Sequence, residues 1–210
     1  MQNRVDPLGN IINTKARGTW TGTRGQLHDS TTKILRPFKL KAWLTCLLQF
    51  KGRQRKMMSP GLYTELFFLD EATAFAAGHR PCCECRRQDH HRFKMFWLKG
   101  NPEYGFKEGV SIKLIDEILH TERINGRGNK VTWLDNIDNL PGGTFIFMDK
   151  APYLVAWQQL YHWTPAGYDA KLSIPKNETV TVLTPRSVVN TFSAGYIPQM
   201  NIESPGEAGN

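Results

Sequence analysis

Three of the four cysteines in this 210-residue chain crowd into Cys82-Cys83-Glu84-Cys85, directly behind Pro81. Residues this close do not make an ordinary disulfide framework, so a bound metal ion accounts for them better. Cys82 and Cys85 form a C-x-x-C pair, a spacing at which two thiolates reach one tetrahedral ion, above all where a turn leads into a helix. The positive end of a helix also favours thiolate over thiol. Zinc is the expected ion. A chain of this length can bury a full core, so the metal is not needed merely to rescue a small fold.

Hydrophobic residues make up 40% of the chain and charged ones 22%, the balance of an ordinary globular protein. The longest apolar runs are short pieces such as Ala42 to Phe50, too short to span a bilayer. The N-terminus, Met-Gln-Asn-Arg-Val-Asp, lacks the apolar centre of a signal peptide, and the protein is expected in the cytoplasm. Its net charge of +8 is unevenly placed: of 27 Lys and Arg, twelve fall in residues 1–60, against two of the 19 acids. The remaining fifteen basic residues face seventeen acids. A basic face set apart in this way is the electrostatic footprint of a polyanion, because each neutralised phosphate releases condensed counterions. The alternative is a surface that only aids solubility.

No repeat, low-complexity stretch or Gly/Ser linker divides the chain. Arg17-Gly-Thr-Trp-Thr-Gly-Thr-Arg-Gly-Gln-Leu-His-Asp29 is too rich in glycine and threonine for a helix and predicts extended pieces with tight turns, placing Arg17, Arg24 and His28 on loops or strand ends. Phe38 to Phe50 begins with alternation and ends as an apolar run, leaving strand or helix open, with Cys46 buried inside it. Leu62 to Phe68 is strand-like. Asp70 then caps a short helix from Glu71 to Ala77 that Gly78 ends. A second helix is expected from about Cys85 to Leu98, burying Phe93, Phe96 and Trp97. A third is expected over 111–121, capped by Ser111. After Pro141-Gly-Gly come short strands at Thr144 to Met148, Tyr153 to Ala156, Leu160 to Trp163, Tyr168 to Leu172 and Thr179 to Leu183, with Tyr153, Trp157, Tyr161, Trp163 and Tyr168 in sheet core and hairpin pairs. Thr184-Pro185 opens a last helix that Gly195 closes. The fold class is therefore α+β. The expected regions are a basic loop and strand segment at 1–60, a zinc-binding module at 61–100 that includes Cys46, an α+β to β-rich part at 101–198, continuous with the rest or separate from it, and a frayed tail at 199–210.

The run Phe67-Phe-Leu-Asp-Glu-Ala-Thr-Ala-Phe-Ala-Ala-Gly-His-Arg-Pro-Cys-Cys-Glu-Cys-Arg86 resembles the second half of the zinc domain at the N-terminus of the Ada DNA-repair protein. There a Phe-Phe strand end, an Ala-rich helix, Ala-Gly-aromatic-Arg-Pro and Cys-x-x-Cys-Arg follow in the same order. The likeness covers about twenty residues, or about forty-five if Cys46 takes the place of the first leading cysteine. That family holds zinc on four cysteines, contacts DNA with basic residues and accepts a methyl group from a backbone phosphate on one leading thiolate. Here the second leading cysteine is missing, the positions after Cys46 being Leu47, Leu48, Gln49 and Phe50.

Cys46, Cys82 and Cys85 are thus the expected thiolates, with His28 the first choice for a fourth ligand, since it would pin the basic loop to the metal. Without a protein donor, water fills the position and becomes an activated nucleophile. Cys83 is expected to pack away from the ion, His79 to pack over the site, and His90 and His91 to lie in solvent. Expected nucleic-acid contacts, with DNA the expected partner, are Arg17, Trp20, Arg24, Lys51, Arg53, Arg55, Lys56, Arg86 and Arg87. Trp20 serves either as a stacking platform or as core. His28 and Asp29 form either a base with its orienting carboxylate or a turn, and with Arg24 and Cys46 they are the catalytic candidates. Three functions follow: a zinc-containing nucleic-acid-binding protein in repair, modification or defence; a zinc-dependent DNA-processing enzyme (nuclease, base-processing or methyl-acceptor); and a zinc-stabilised interaction module.

Overall fold

The computed structural model describes residues 2–52 and 56–202. Its elements are β1 (Gln2–Val5), β2 (Ile11–Asn13), β3 (Trp20–Thr23), β4 (Leu44–Cys46), β5 (Leu66–Phe68), α1 (Glu71–Ala76), β6 (Arg80–Pro81), α2 (Arg87–Gly100), α3 (Ile112–Arg123), β7 (Trp133–Asn136), β8 (Phe145–Met148), β9 (Ala151–Ala156), β10 (Gln159–Thr164), β11 (Gly167–Ser173), β12 (Thr179–Val182) and α4 (Arg186–Ser193). The protein is α+β, with two six-stranded sheets of order β2-β1-β5-β3-β4-β6 and β11-β10-β9-β8-β12-β7.

The first sheet is mixed: β1 pairs with β5 and β4 with β6 in parallel, while β3 runs antiparallel to both β4 and β5. It draws strands from both sides of residue 60, so the basic segment and the cysteine region share one sheet. Gly22, in β3, is needed where it stands: a Cβ there would lie 2.1 Å from the Leu44 carbonyl and 2.8 Å from the Phe68 ring. The segment 38–50, open between strand and helix, is a strand only at Leu44–Cys46. The expected strand from Leu62 shortens to Leu66–Phe68, because Leu62 and Tyr63 stay exposed and Thr64 turns inward to accept from the Leu27 N–H. The second sheet is antiparallel throughout and carries the expected hairpins, with β7 as an addition at its edge.

Helix α1 lies at the centre, and all six of its residues are buried. Ala72 and Ala76 meet Phe145, Leu154, Tyr161 and Trp163 of the second sheet, while Phe75 faces Phe93, Trp97, Ile115, Leu119 and Phe192 from α2, α3 and α4. Small side chains on one face let the helix approach the sheet closely. Its cap is Asp70, fully buried, whose carboxylate accepts from Thr73 N at 2.8 Å, Thr73 Oγ1 at 2.6 Å, the Tyr168 hydroxyl at 2.7 Å and Asn201 N at 3.0 Å. Asp70→Asn keeps the shape but turns a donor toward the Asn201 N–H, and is expected to cost about 2 kcal/mol in urea unfolding. An unchanged midpoint would contradict this role for Asp70.

Helices α2 and α3 lie where the sequence places them, with Ser111 capping α3. Phe93 and Trp97 are buried, whereas Phe96 is half-buried at the edge of that cluster. The tail is a correction. Residues 199–202 are tied down, because Gln199 N donates to Glu71, Ala72 N donates to the Gln199 carbonyl, and Met200 and Ile202 pack on the central core. The rest of that expected tail, 203–210, lies outside the described residues.

Candidate metal centre

Parallel pairing of β4 with β6 builds the site. The register sets Leu44 beside Arg80 and Thr45 beside Pro81, and Cys82 N donates to the Thr45 carbonyl at 2.9 Å. The next residues along the two strands are Cys46 and Cys82. After Cys82 the chain turns tightly, Arg86 N donating back to the Cys82 carbonyl at 3.2 Å, and enters α2. That turn returns Cys85 to the same spot. The ligand atoms of Cys46, Cys82 and Cys85 all lie within 4.8 Å of one another, a group that could hold a metal ion.

Backbone N–H groups point at these sulfurs: Glu84 N lies 3.4 Å from Cys82 Sγ, Cys85 N also donates to Cys82, and Leu47 N donates to Cys85. Donors aimed at sulfur suit thiolates rather than thiols. Three thiols this close divide their protons unequally. Hydrogen bonds from Cys46 and Cys85 pull Cys82 well down, while contact with Cys82 pushes Cys46 well up. A divalent cation is what would let all three ionise together. The donor set, three soft sulfurs with N–H support, fits zinc.

His28 is not part of this group, contrary to expectation. It is buried, its Nε2 donating to the Ser59 carbonyl at 3.3 Å and its Nδ1 accepting from Thr64 Oγ1 at 2.6 Å. Both ring nitrogens are therefore used in pinning the loop to Thr64. Nor does Asp29 orient His28: its Oδ1 accepts from Thr31 N, Thr31 Oγ1 and Lys33 N, the turn alternative. Those hydrogen bonds, led by the Thr31 hydroxyl, lower its pKa. His79 is buried between rings rather than at the metal, with Phe68 4.6 Å and Trp43 5.4 Å away between centroids. Burial drives its pKa well down, and the neutral ring donates through Nδ1 to Leu44 O and accepts at Nε2 from Arg24. His90, expected in solvent, is buried against the Pro81 carbonyl, whereas His91 is exposed. Cys83 is exposed instead of packed.

The basic residues split into two populations. Arg24 is 1% exposed, donating to His79 Nε2 at 2.9 Å and the Gly9 carbonyl at 3.0 Å, so it cannot track a backbone. Arg86 is also internal, paired with Glu71 and Asp89 and stacked 4.0 Å from the Trp20 ring centroid. Trp20 thus has one face covered, and its indole N–H donates to Gln199 at 2.7 Å. Arg17, Lys51, Lys56 and Arg87 are exposed. Lys51 and Lys56 leave the Cys46 strand, and Arg87 begins the helix leaving Cys85. Arg53 and Arg55 lie outside the described residues.

Sequence reasoning missed a second cluster. Arg123 and Lys130 join Arg24 under the first sheet, the guanidinium carbons of Arg24 and Arg123 lying 3.9 and 4.1 Å from the Trp43 ring centroid. No spacing links residues drawn from a loop, a helix end and a turn so far apart in the chain. Among the described residues, no helix is long and apolar enough to cross a membrane. Compared with known proteins, the chain matches no family model, no curated protein and no solved structure.

Proposed function

We propose that the chain is a zinc-containing protein that binds nucleic acid, with DNA as its partner, in repair, modification or defence. The observation that carries the metal half is the position of Cys46, which lies far from Cys82 in sequence yet has its sulfur within 4.8 Å of both other thiols. The resemblance of residues 67–86 to the Ada zinc domain supports zinc over other ions and DNA over other polyanions. The nucleic-acid half rests on Lys51, Lys56 and Arg87, exposed charges on the segments that carry the thiols. The metal's part is to lock β4 to the start of α2 and so hold those charges in one arrangement.

Charge reversal at Lys51, Lys56 and Arg87 is expected to weaken duplex binding and flatten its salt dependence by roughly one unit of slope per lost phosphate contact. The same reversal at Lys171 and Lys176, exposed on the second sheet and its following turn, should leave the slope nearly unchanged. Titrations at several salt concentrations, with duplex and single strands in parallel, read both. Equal responses from the two variants, or no binding at low salt, would reject the nucleic-acid reading in favour of an interaction module.

A second reading, a zinc-dependent DNA-processing enzyme, is favoured by one feature. The group contains three sulfurs and no fourth ligand among the described residues, whereas a closed structural zinc site takes four protein ligands. Of the catalytic candidates only Cys46 lies at the site, since His28, Asp29 and Arg24 are engaged elsewhere. Incubation with methylated duplex would separate the readings: a methyl group recovered on Cys46 by mass spectrometry supports the enzyme.

A further inference from the structure

Beneath the edge of the first sheet opens a cavity of about 410 Å³, within the usual range of small-molecule sites. It stands at the opposite end of β4 from the thiols: Trp43 lines it, and Cys46 is three residues further on, roughly 10 Å at strand rise. Its deep wall is cationic. Arg24, Arg123 and Lys130 all line it, and the exposed Arg36 stands at its rim.

These charges are poorly compensated. Among the described residues, Asp6 is the one carboxylate whose charge favours both Arg24 and Lys130, and its own oxygens accept from Asn10 N at 2.9 Å and Asn10 Nδ2 at 3.0 Å. Asp116 is taken up by a two-pronged pair with Arg80, both contacts at 2.7 Å. Arg123 spends its terminal nitrogens on Gly78 O and Lys41 O, and Lys130 its ammonium on Ala76 O. One terminal nitrogen of Arg24, its Nη2, is buried and has no hydrogen-bond partner among the described residues. Gly9, which also lines the cavity, lies beside it: a Cβ there would stand 3.8 Å from Nη2. Burial lowers Arg24 and Arg123 to about 9 and Lys130 to about 7. Lys130 is only half-buried as a residue, but its head group lies deep. A buried guanidinium with an idle N–H is costly, and an oxyanion supplies both the charge and the acceptor it lacks. Leu8, Ile11, Ile34 and Leu35 give the lining an apolar side, with Gln2 and Asn10 among them.

We infer that this cavity binds a small organic oxyanion, a phosphate monoester or carboxylate on an apolar or aromatic body, with Arg24 Nη2 as the central donor. Arg123 and Lys130 add charge, and the apolar wall takes the body. The site is separate from the cysteine group and from the nucleic-acid reading, and its failure would leave both standing.

The test is calorimetry and thermal unfolding of the full chain with phenyl phosphate, benzoate, inorganic phosphate and the neutral analogue phenol. Phenyl phosphate or benzoate is expected to bind and raise the melting temperature, and the better of the two identifies the head group. Inorganic phosphate should bind at least about tenfold more weakly, because it leaves the apolar wall unused. Arg24→Gln should weaken binding by about tenfold or more. If that variant fails to fold, Leu35→Trp fills the cavity from its rim, where Leu35 is 55% exposed and the fold is not at stake. It should abolish binding while leaving the melting temperature of the free protein unchanged. Binding of phenol as tight as that of the anions, inorganic phosphate equal to phenyl phosphate, or undiminished binding by Leu35→Trp would each overturn the assignment.

Discussion

Cys82→Ser and Cys85→Ser are each expected to release the metal and to lower stability by several kcal/mol, because the binding energy of a structural site is also folding energy. The purified wild-type protein should carry about one zinc per chain. The loss reaches beyond the turn. Cys82 N donates to Thr45 O in β4 and Arg80 N to Trp43 O just before it, so the metal and the β4–β6 pairing hold the same two segments together. Cys83→Ser is the internal control, since its side chain is exposed and outside the group, and it should keep both metal and melting temperature. Elemental analysis and urea unfolding of the three variants read these outcomes. Full zinc in either ligand variant, or metal loss in the control, would place the ion elsewhere.

The second large effect is expected at Arg86. It pairs with Glu71 at 2.5 Å and with Asp89 at 2.8 Å, and the Arg86 and Glu71 side chains are each only 2% exposed. Burial works against the Arg86 charge, but Glu71 and Asp89 outweigh it and its pKa ends raised. Glu71 is a hub as well: it accepts from the Tyr196 hydroxyl at 2.9 Å and from Gln199 N at 2.9 Å, joining α1 to the C-terminal segment. Arg86→Met removes the cation and leaves that carboxylate buried without its main partner, which should cost about 3–5 kcal/mol. Arg86→Met combined with Glu71→Met should recover part of the loss, because the lone buried charge is then gone. Denaturant unfolding of the metal-loaded variants measures both. A double variant less stable than the single would mean that the ion pair is not what the single variant lost.

The same arginine shows what the sequence made legible and what it did not. Helix α1 with its Asp70 cap, α2, α3 with its Ser111 cap and the hairpins from Phe145 to Ser173 follow from local signals: side-chain oxygens before apolar periodicity, and alternation broken by glycine and proline. The first sheet does not. Its strands are two to four residues long and, apart from the local β1–β2 pair, come together from distant parts of the chain, Arg4 with Phe67 and Leu44 with Arg80, so no local period announces them. At the metal centre Cys82 and Cys85 were legible from spacing. Cys46 came only through resemblance, because an isolated cysteine in an apolar run is as easily core. His28 failed as a ligand because a buried loop must satisfy its own polar groups, and Thr64 and Ser59 do so there. Charge counting erred in the same way. Arg4 and Arg24 contribute to the basic excess of the first sixty residues but lie inside the protein, a fact that composition cannot express.

X-ray absorption at the zinc edge of the purified protein tests the central assignment most directly, since it counts the sulfurs around the ion without altering them. With Cys46, Cys82 and Cys85 bound, it should find three sulfur neighbours at about 2.3 Å and one lighter atom. Two sulfurs would remove Cys46 and contradict the site that β4 and β6 build.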